Sequence, residues 1–267
     1  MATASTKPFG VVTGASSGIG YELAKQFAQN GFDLLIAAES DRVQEVVGNL
    51  QALGAQVNPV QVNLAEHEGT HRLIQAIEAA GRPVDAVAIN AGVGVNGRFV
   101  ETDLAAEMNM VRLNVMSVLH LAKYMAKQMV AQGSGRILFT SSIAGTMPTP
   151  YEAVYGATKA FERSLAQSLR EELKDTGVTV TALMPGATET NFFRRAGAED
   201  TKLGASEKDD PAEVAKEGFE AMMAGKDHVI AGSLKNKLQA EAGYHLPDPL
   251  VAKAHAAQSA PGSANKK

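Results

Sequence analysis

The side chains best suited to acid–base chemistry are a tyrosine and a lysine that lie four residues apart. Tyr155 and Lys159 belong to a segment with helical periodicity, which places the phenol and the ammonium group on one helical face. A free phenol has a pKa of about 10 and is a poor base at neutral pH. Because a nearby cation stabilises phenolate, we expect Lys159 to lower the pKa of Tyr155. Such a tyrosine can exchange a proton with a carbonyl or hydroxyl oxygen.

This spacing is not specific by itself, since the chain contains a second copy of it. Tyr21 and Lys25 are also four residues apart, but Tyr21 directly follows a glycine-rich turn, and we interpret this pair as ordinary helix surface. Tyr155 differs because Ser142 lies thirteen residues before it, at the end of an apolar strand predicted over 135–141. The carboxyl ends of strands are where open α/β sheets bind ligands.

A second candidate site is the turn that follows the first apolar run. Gly14, Gly18 and Gly20 stand between that run and an amphipathic segment, so the turn leads directly into a helix. Free N–H groups and the helix dipole make such a helix start an anion site, and the missing Cβ atoms let a ligand approach. A pyrophosphate fits this environment. The spacing matches neither GxGxxG nor a P-loop, so a tight turn without a ligand remains the alternative.

The end of the second predicted strand bears on the choice of cofactor. In dinucleotide-binding folds an acidic residue there binds the ribose 2′-hydroxyl, whereas a basic residue nearby holds a 2′-phosphate. Glu39 follows Ala38 at this point and would repel a phosphate. We therefore favour NAD over NADP. The alternative is that Glu39 faces solvent and that Arg42 binds the phosphate of NADP.

Apolar runs alternate with amphipathic segments along most of the chain, which is typical of a parallel sheet with helices on both faces. We predict a single Rossmann-type α/β domain over 1–232, with a doubly wound sheet of about seven strands. Continuous helices are predicted over 40–53, 102–131 and 155–175. The polar, glycine-containing segment 191–210 interrupts the alternation and is predicted as a substrate loop or lid.

The C-terminal residues 233–267 are predicted as an extension outside this alternation. One or two short helices are expected there, over 234–242 and 248–258. The small and polar residues 259–267 are then expected to form a disordered tail. We assign no chemistry to the extension.

Composition limits the partners of the protein. The net charge of −4 provides no basic field for nucleic acid or anionic lipid, so we expect no nucleic acid and no membrane partner. The chain has no cysteine and therefore no disulfide or cysteine-ligated metal. His67 and His71 have the spacing of a metal-binding pair on a helix, but we interpret them as surface residues and expect no metal. The first residues contain no apolar export signal, so we expect a cytoplasmic protein.

The motifs, taken in order, resemble the short-chain dehydrogenase/reductase family over residues 9–232. Residues 13–20 match the TGxxxGxG turn of that family. Residues 90–92 match most of its NNAG element, with Ile89 departing at the first position. Four further residues align with the family's catalytic tetrad, namely Asn114, Ser142, Tyr155 and Lys159.

The resemblance implies an oxidoreductase that transfers hydride between a nicotinamide cofactor and a carbonyl or secondary alcohol. Ser142 would hydrogen-bond the substrate oxygen, Tyr155 would be the acid/base, and Lys159 would also hold the nicotinamide ribose. Asn114 would hold a water in the proton relay. The expected cofactor contacts are Gly14, Ser16, Ser17, Gly18, Ile19, Gly20, Glu39, Asn63, Leu64, Asn90, Ala91, Gly92, Tyr155, Lys159, Pro185, Gly186, and, at the nicotinamide carboxamide, Thr188 or Thr190.

Three positions of the cofactor set depart from the family pattern. Asn63 stands where the family usually has Asp at the adenine, and Ala38 stands where many NAD-preferring members have Asp. Glu39 stands where NADP-preferring members often have Arg. The departures therefore fall at the adenine and its ribose and not in the pyrophosphate turn.

The substrate pocket is expected to consist of residues 93–96, residues 144–147 and the loop after Thr190. Arg194 and Arg195 could clamp a substrate carboxylate there, although charges in a polar loop are more often solvated. The resemblance also implies a homodimer or homotetramer that forms through the two long helices.

Two other classes of function remain open on the sequence. A non-catalytic nicotinamide-binding regulator or scaffold would use the glycine turn without turnover. A methyltransferase on a related sheet would need no Tyr–Lys pair. The complete tetrad favours the enzyme.

Overall fold

Seven parallel strands form one sheet in the computed structural model, which describes residues 7–265. The strands are β1 Phe9–Thr13, β2 Asp33–Ala38, β3 Val57–Gln61, β4 Ala86–Ile89, β5 Gly135–Thr140, β6 Val178–Pro185 and β7 His228–Ala231. Their order across the sheet is β3-β2-β1-β4-β5-β6-β7, and every neighbouring pair is parallel. The expected doubly wound α/β fold with seven strands is confirmed.

Helices connect the strands and cover both faces of the sheet. They are α1 Gly18–Gln29, α2 Arg42–Glu45, α3 Val47–Ala52, α4 His67–Ala79, α5 Leu104–Val111, α6 Val118–Gln132, α7 Ala153–Glu172, α8 Phe192–Ala196, α9 Lys202–Ala205, α10 Pro211–Met223, α11 Leu234–His245 and α12 Asp248–Ser259. Within residues 7–265, none of these helices is both long enough and apolar enough to span a membrane.

Two apolar cores lie on opposite faces of the sheet, because successive side chains of a strand point to opposite sides. In β1, Val11 belongs to one core and Val12 to the other, and both are fully buried. The second core includes Phe27 of α1 and Phe219 of α10, whose rings meet edge to face with centroids 5.1 Å apart. Burial on both faces explains why the strands read as continuous apolar runs.

The strand order reverses between β1 and β4, and a crevice opens there at the carboxyl ends of the strands. The hydroxyl of Thr13, at the end of β1, accepts hydrogen bonds from the backbone N–H groups of Asn90 at 2.9 Å and Ala91 at 3.0 Å. The Asn90 side chain in turn donates to the Thr13 carbonyl at 3.0 Å. These bonds fix the two strand ends that border the crevice.

The helix expected over 102–131 is present, because the chain is helical from Leu104 to Gln132, but it is not a uniform α-helix. A π-helical segment, Arg112–Ser117, separates α5 from α6. The wider turn contains Asn114, whose side chain binds both backbone groups of Val93 in the loop after β4. Because the chain is helical on both sides of this segment, the sequence analysis did not identify it. π-helical turns frequently occur at functional sites.

The helix expected over 40–53 is also divided, into α2 and α3. Both pieces are short, and Val43 and Leu50 pack into the second core. The division therefore preserves the burial that the periodicity predicted.

The expected disordered tail is wrong for residues 259–265, whereas Lys266 and Lys267 lie outside the described residues. The chain continues from α12 into a 3₁₀ turn, Ser263–Asn265, and folds against the segment between α8 and α9. The Ser263 hydroxyl accepts a 2.8 Å hydrogen bond from the Lys202 N–H. Asp200 accepts from the backbone N–H groups of Gly262 and Ala264. Specific partners for backbone groups, rather than composition, order this segment.

We predict that Ser263→Ala lowers the free energy of unfolding by about 1 kcal/mol, because it leaves the Lys202 N–H without its acceptor. Urea denaturation of the variant would measure this change. Asn265→Ala, at an exposed position on the same turn, is the matched control and should leave stability unchanged. Equal stabilities of both variants and the parent chain would contradict the folded tail.

Candidate active site

The glycine turn wraps around the start of α1 in a form that only glycine accommodates. Gly14 and Gly18 have φ values of 70° and 56°, in the left-handed region. A Cβ atom on Gly20 would overlap the Gly14 carbonyl group and the Asn90 side chain. A Cβ atom on Gly18 would lie 2.9 Å from the Thr190 methyl group. The unpaired N–H groups at the start of α1 therefore lie open to an anion between the turn and the segment after β6.

A single cavity of about 390 Å³ runs along the carboxyl ends of the strands. It brings together the glycine turn, the ends of β2 to β6 and the start of α7. Asn114 is the one proposed site residue that lies outside its lining. The expected residues that line it are Gly14, Ser16, Ser17, Gly18, Ile19, Gly20, Glu39, Asn63, Leu64, Asn90, Ala91, Gly92, Ser142, Tyr155, Lys159, Pro185, Gly186, Thr188 and Thr190.

Tyr155 lies in the first turn of α7 and is buried, with 9% of its surface exposed. Its ring meets that of Phe192 with centroids 5.1 Å apart. Burial raises the pKa of Tyr155 well above its usual value, and the charges of Glu152 and Glu162 raise it further, whereas a hydrogen bond with Ser142 opposes the rise. The expected lowering of the Tyr155 pKa is therefore wrong for the protein without cofactor.

A buried ion pair explains why Lys159 does not lower that pKa. The Lys159 ammonium group donates to both carboxylate oxygens of Glu162, at 2.9 and 3.0 Å, and to the Thr140 carbonyl at 2.9 Å. These three acceptors match its three N–H donors. Its nitrogen lies 5.8 Å from the centroid of the Tyr155 ring. The cation is thus already compensated by an anion when it faces the phenol.

Glu162 is a residue that the sequence analysis missed. Its side chain is almost completely buried, and burial raises its pKa to about 7, although the ion pair with Lys159 opposes the rise. The signal was present, because a residue three positions after Lys159 shares its helical face.

Asn114 and Ser142 hold the walls of the cavity from two sides. The Asn114 amide is fully buried and binds Val93 and the Thr158 hydroxyl. The Ser142 hydroxyl donates to the Pro185 carbonyl at 3.3 Å and accepts from the Ala144 N–H at 3.1 Å. Ser142 therefore ties the end of β5 to the end of β6.

The part of the cavity beyond Tyr155 is partly apolar. Of the two expected substrate walls, Val93, Ala144 and Met147 line the cavity. Asn96 instead donates to the carbonyl of Ser259, at the end of α12. The expected loop wall is correct in position, but it contains the short helices α8 and α9.

The two arginines of that loop occupy different positions. Arg194 and Arg195 are both exposed, and of the two only Arg195 lines the cavity. Phe192 and Phe193, which precede them, point inward and pack edge to face. The apolar residues of α8 thus face the cavity more closely than its charges do.

The C-terminal extension adds a polar group to the cavity that the sequence analysis did not expect. His255 of α12 places its Nε2 atom 3.2 Å from a carboxylate oxygen of Glu152 and 3.0 Å from the Ser259 hydroxyl. All three side chains are buried, and Glu152 and His255 line the cavity. Tyr151, directly before Glu152, has a φ of 69°, a conformation that costs free energy in a residue other than glycine.

Comparisons with known proteins agree with this architecture. Residues 10–201 match the family model of the short chain dehydrogenases. A 3-oxoacyl-[acyl-carrier-protein] reductase of Synechocystis is 32% identical over 199 residues, which are 74% of this chain and 81% of that protein. An uncharacterized oxidoreductase of Staphylococcus epidermidis is 31% identical over 199 residues, which are 74% of this chain and 83% of the relative.

Solved structures give the same result. A short-chain dehydrogenase from Sphingobium yanoikuyae in complex with NADPH has a TM-score of 0.76 and 30% identity, over 84% of this chain and 87% of that one. A short chain dehydrogenase/reductase from Burkholderia phymatum in complex with NAD has a TM-score of 0.76 and 25% identity, over 88% and 94% of the two chains. This chain therefore belongs to the short-chain dehydrogenase/reductase family and is an NAD(P)-dependent oxidoreductase.

Proposed function

We propose that the protein transfers hydride between NAD and a carbonyl or secondary alcohol, with Tyr155 as the acid/base. The observation that carries this proposal is the cavity that contains both the glycine turn and the Ser142–Tyr155 pair. A cofactor bound at the turn would lie within the same enclosure as the phenol. The bound nicotinamide supplies or accepts the hydride.

The residues of the cavity fit a dinucleotide. The backbone N–H groups of the turn can bind the pyrophosphate, and Glu39 can bind the ribose hydroxyls at the end of β2. Gly92 leaves room beside the Lys159 ammonium group, since a Cβ atom there would lie 3.3 Å from its nitrogen. Thr188 and Thr190 can bind the carboxamide. These assignments extend the family resemblance to residues that line the cavity.

Tyr155 performs the proton transfer in this proposal. Its raised pKa keeps the phenol protonated at neutral pH, which is the form that donates a proton to the oxygen of a carbonyl during reduction. The Ser142 hydroxyl orients that oxygen by a hydrogen bond. In the reverse direction Tyr155 must first lose its proton, so alcohol oxidation gains as pH rises. The water-holding role of Asn114 belongs to the same proposal.

In this mechanism Lys159 both pairs with Glu162 and hydrogen-bonds the cofactor ribose. In the protein without cofactor its three donors are satisfied by Glu162 and Thr140. A hydrogen bond from Lys159 to the cofactor ribose would have to replace one of them. If the bond to Glu162 were the one replaced, cofactor binding would weaken the ion pair and bring the positive charge of Lys159 to bear on Tyr155, which would favour phenolate.

The preference for NAD rests on the position of Glu39. Its carboxylate borders the cavity, and its backbone carbonyl is held by the Gln61 side chain. Arg42 lies instead on an adjoining surface pocket together with Ser17 and Glu45, and Glu45 is its ion-pair partner at 3.9 Å. A 2′-phosphate of a cofactor in this cavity would therefore lie closer to the negative charge of Glu39 than to the positive charge of Arg42.

We also propose a homodimer or homotetramer that forms through the long helices. Met108 of α5, Met116 of the π-helical segment and Leu119 of α6 are exposed by 44%, 60% and 41%. Large apolar side chains grouped on neighbouring turns are typical of an interface.

Replacing Tyr155 with Phe should lower turnover of an identified carbonyl substrate by roughly 10²- to 10⁴-fold, because the proton donor is lost. The dissociation constant of NADH should change little, and calorimetry would measure it. Tyr21→Phe removes a hydroxyl from the other Tyr–Lys pair and is the control, with turnover expected to be unchanged. Full activity in the Tyr155 variant would refute the role of the phenol.

The cofactor preference predicts that NADH binds more tightly than NADPH in calorimetric titrations. Glu39→Gln removes the repulsion of a 2′-phosphate, which for an exposed charge near 4 Å is about 1 kcal/mol, and should improve NADPH binding roughly fivefold. Arg42→Ala tests the alternative. Tighter binding of NADPH by the parent chain, lost in the Arg42 variant alone, would show that Arg42 and not Glu39 selects the cofactor.

Glu162 should set the pH at which alcohol oxidation becomes fast. Its charge raises the pKa of Tyr155 and compensates Lys159, so Glu162→Gln should lower that pKa. The alkaline rise of the oxidation rate should then shift to lower pH by roughly one unit. Glu152, His255 and Lys159 are the other ionisable groups around the phenol, and they are unchanged in this variant.

Glu171→Gln is the matched control for this shift, since Glu171 is an exposed acid of the same helix and pairs with Lys174, just beyond the end of α7. Its pH profile should equal that of the parent chain. Thermal unfolding of both variants would separate a change in the profile from a change in folding. An unshifted profile in a folded Glu162 variant would show that this carboxylate does not tune Tyr155.

A further inference from the structure

Three histidines from two helices meet on the surface of the first core. His67 and His71 lie on the first two turns of α4, and His120 lies on the first turn of α6. One ring nitrogen from each can be chosen so that all three lie within 4.8 Å of one another. The Nε2 atoms of His67 and His71 are 2.9 Å apart. The pairwise distances between the three ring centroids are 4.4, 5.7 and 4.9 Å.

This arrangement has the dimensions of a metal site. A tetrahedral zinc ion with Zn–N bonds of about 2.0–2.1 Å places its ligand nitrogens about 3.4 Å apart. The separation of the His67 and His71 nitrogens, 2.9 Å, is shorter than this distance, and the 4.8 Å limit for all three nitrogens is longer. Small side-chain rotations would therefore bring the three nitrogens to the distance that zinc requires. Imidazole is a ligand that suits zinc, copper and nickel. His67 is exposed and the other two rings are half-buried, so an ion can enter from solvent.

The backbone around the three rings is held in place by the core. Leu73, two residues after His71, and Leu121, directly after His120, are buried in the same apolar cluster. A site built on two packed helices keeps its ligands closer to a fixed geometry than a site on loops does.

We propose that His67, His71 and His120 bind one divalent transition-metal ion of the zinc class and thereby brace α4 against α6. Water would occupy the fourth position, as three protein ligands leave it open. None of the three residues lines the cofactor cavity, so the site is separate from the proposed reaction. The ion adds a link between two helices that otherwise meet through side-chain packing.

The sequence analysis expected no metal because it considered only the pair on α4. Two histidines at this spacing are common on helix surfaces. The third ligand comes from a different βα unit of the fold and becomes a neighbour only when α4 and α6 pack side by side. The packing of α4 against α6 therefore supports a metal site where the sequence predicted none.

Untagged full-length protein, stripped with a chelator, would be titrated with Zn²⁺ against a chromophoric competitor and, separately, with Co²⁺. We expect one Zn²⁺ per chain and the intense visible bands of tetrahedral Co²⁺. His67→Asn, His71→Asn and His120→Asn should each weaken Zn²⁺ binding by at least about 100-fold, because each removes a direct ligand and the loss of a mere partner of a ligand already costs about 10- to 100-fold. Zinc should raise the unfolding temperature of the parent chain and not that of the His120 variant.

His228→Asn and His245→Asn are the matched controls. Each removes a partly exposed histidine that lies beside a carboxylate, Asp227 or Glu241, and neither should change Zn²⁺ affinity. Thermal unfolding without metal shows which variants are folded, and the stoichiometry and Co²⁺ spectrum of the parent chain decide the proposal even if one variant is not. Octahedral Co²⁺, variable stoichiometry, or equal affinity in a folded His120 variant would mean adventitious surface binding only and would overturn the site.

Discussion

The Asn90 side chain holds together the end of the cavity that contains the glycine turn. Its amide donates to the Thr13 carbonyl, and the glycine turn closes over it so tightly that a Cβ atom on Gly14 would lie 2.9 Å from its nitrogen. The Thr13 hydroxyl binds the next backbone groups of the β4 end in return. The glycines are thus required twice, for the open approach of an anion and for contact with this amide. The crevice at the strand reversal keeps its shape because both of its edges share these bonds.

The second constraint is the placement of charges in α7. Because Lys159 is paired with Glu162, it does not act on Tyr155 as an uncompensated cation. A lysine buried beside a phenol needs a counterion in the absence of ligand, since an uncompensated charge in the interior costs several kcal/mol. Glu162 supplies that counterion, and its own raised pKa records the cost of burying the pair. The ion pair compensates the buried charge of Lys159 and thereby weakens the effect of that charge on Tyr155. Any change in the contact between Lys159 and Glu162 is therefore coupled to the acidity of the phenol.

The sequence predicted those features that depend on local periodicity. Continuous apolar runs predicted the buried parallel strands, and glycines that require positive φ marked the turn at the start of α1. The π-helical turn at Arg112–Ser117 was not predicted, because the chain is helical on both sides of it and the apolar residues of α5 and α6 indicate only a helix. The order of residues 259–265 depends on acceptors at Asp200 and Ser263, and a composition of small polar residues cannot reveal such partners. His120 joins His67 and His71 only through the packing of two helices.

The two ends of the cavity differ in how they are built. The glycine-turn end consists of strand ends that the sheet register fixes, whereas the region beyond Tyr155 is closed by α8 and by α12, which lie outside the βαβ alternation. Phe192 of α8 covers the phenol, and His255 of α12 contacts Glu152 at the start of α7. Glu152, His255 and Ser259 form a buried polar cluster there, so the surroundings of Tyr155 are not uniformly apolar. Because segments outside a sheet vary in sequence more readily than the strand ends do, the region beyond Tyr155 can differ between related chains while the glycine-turn end stays the same.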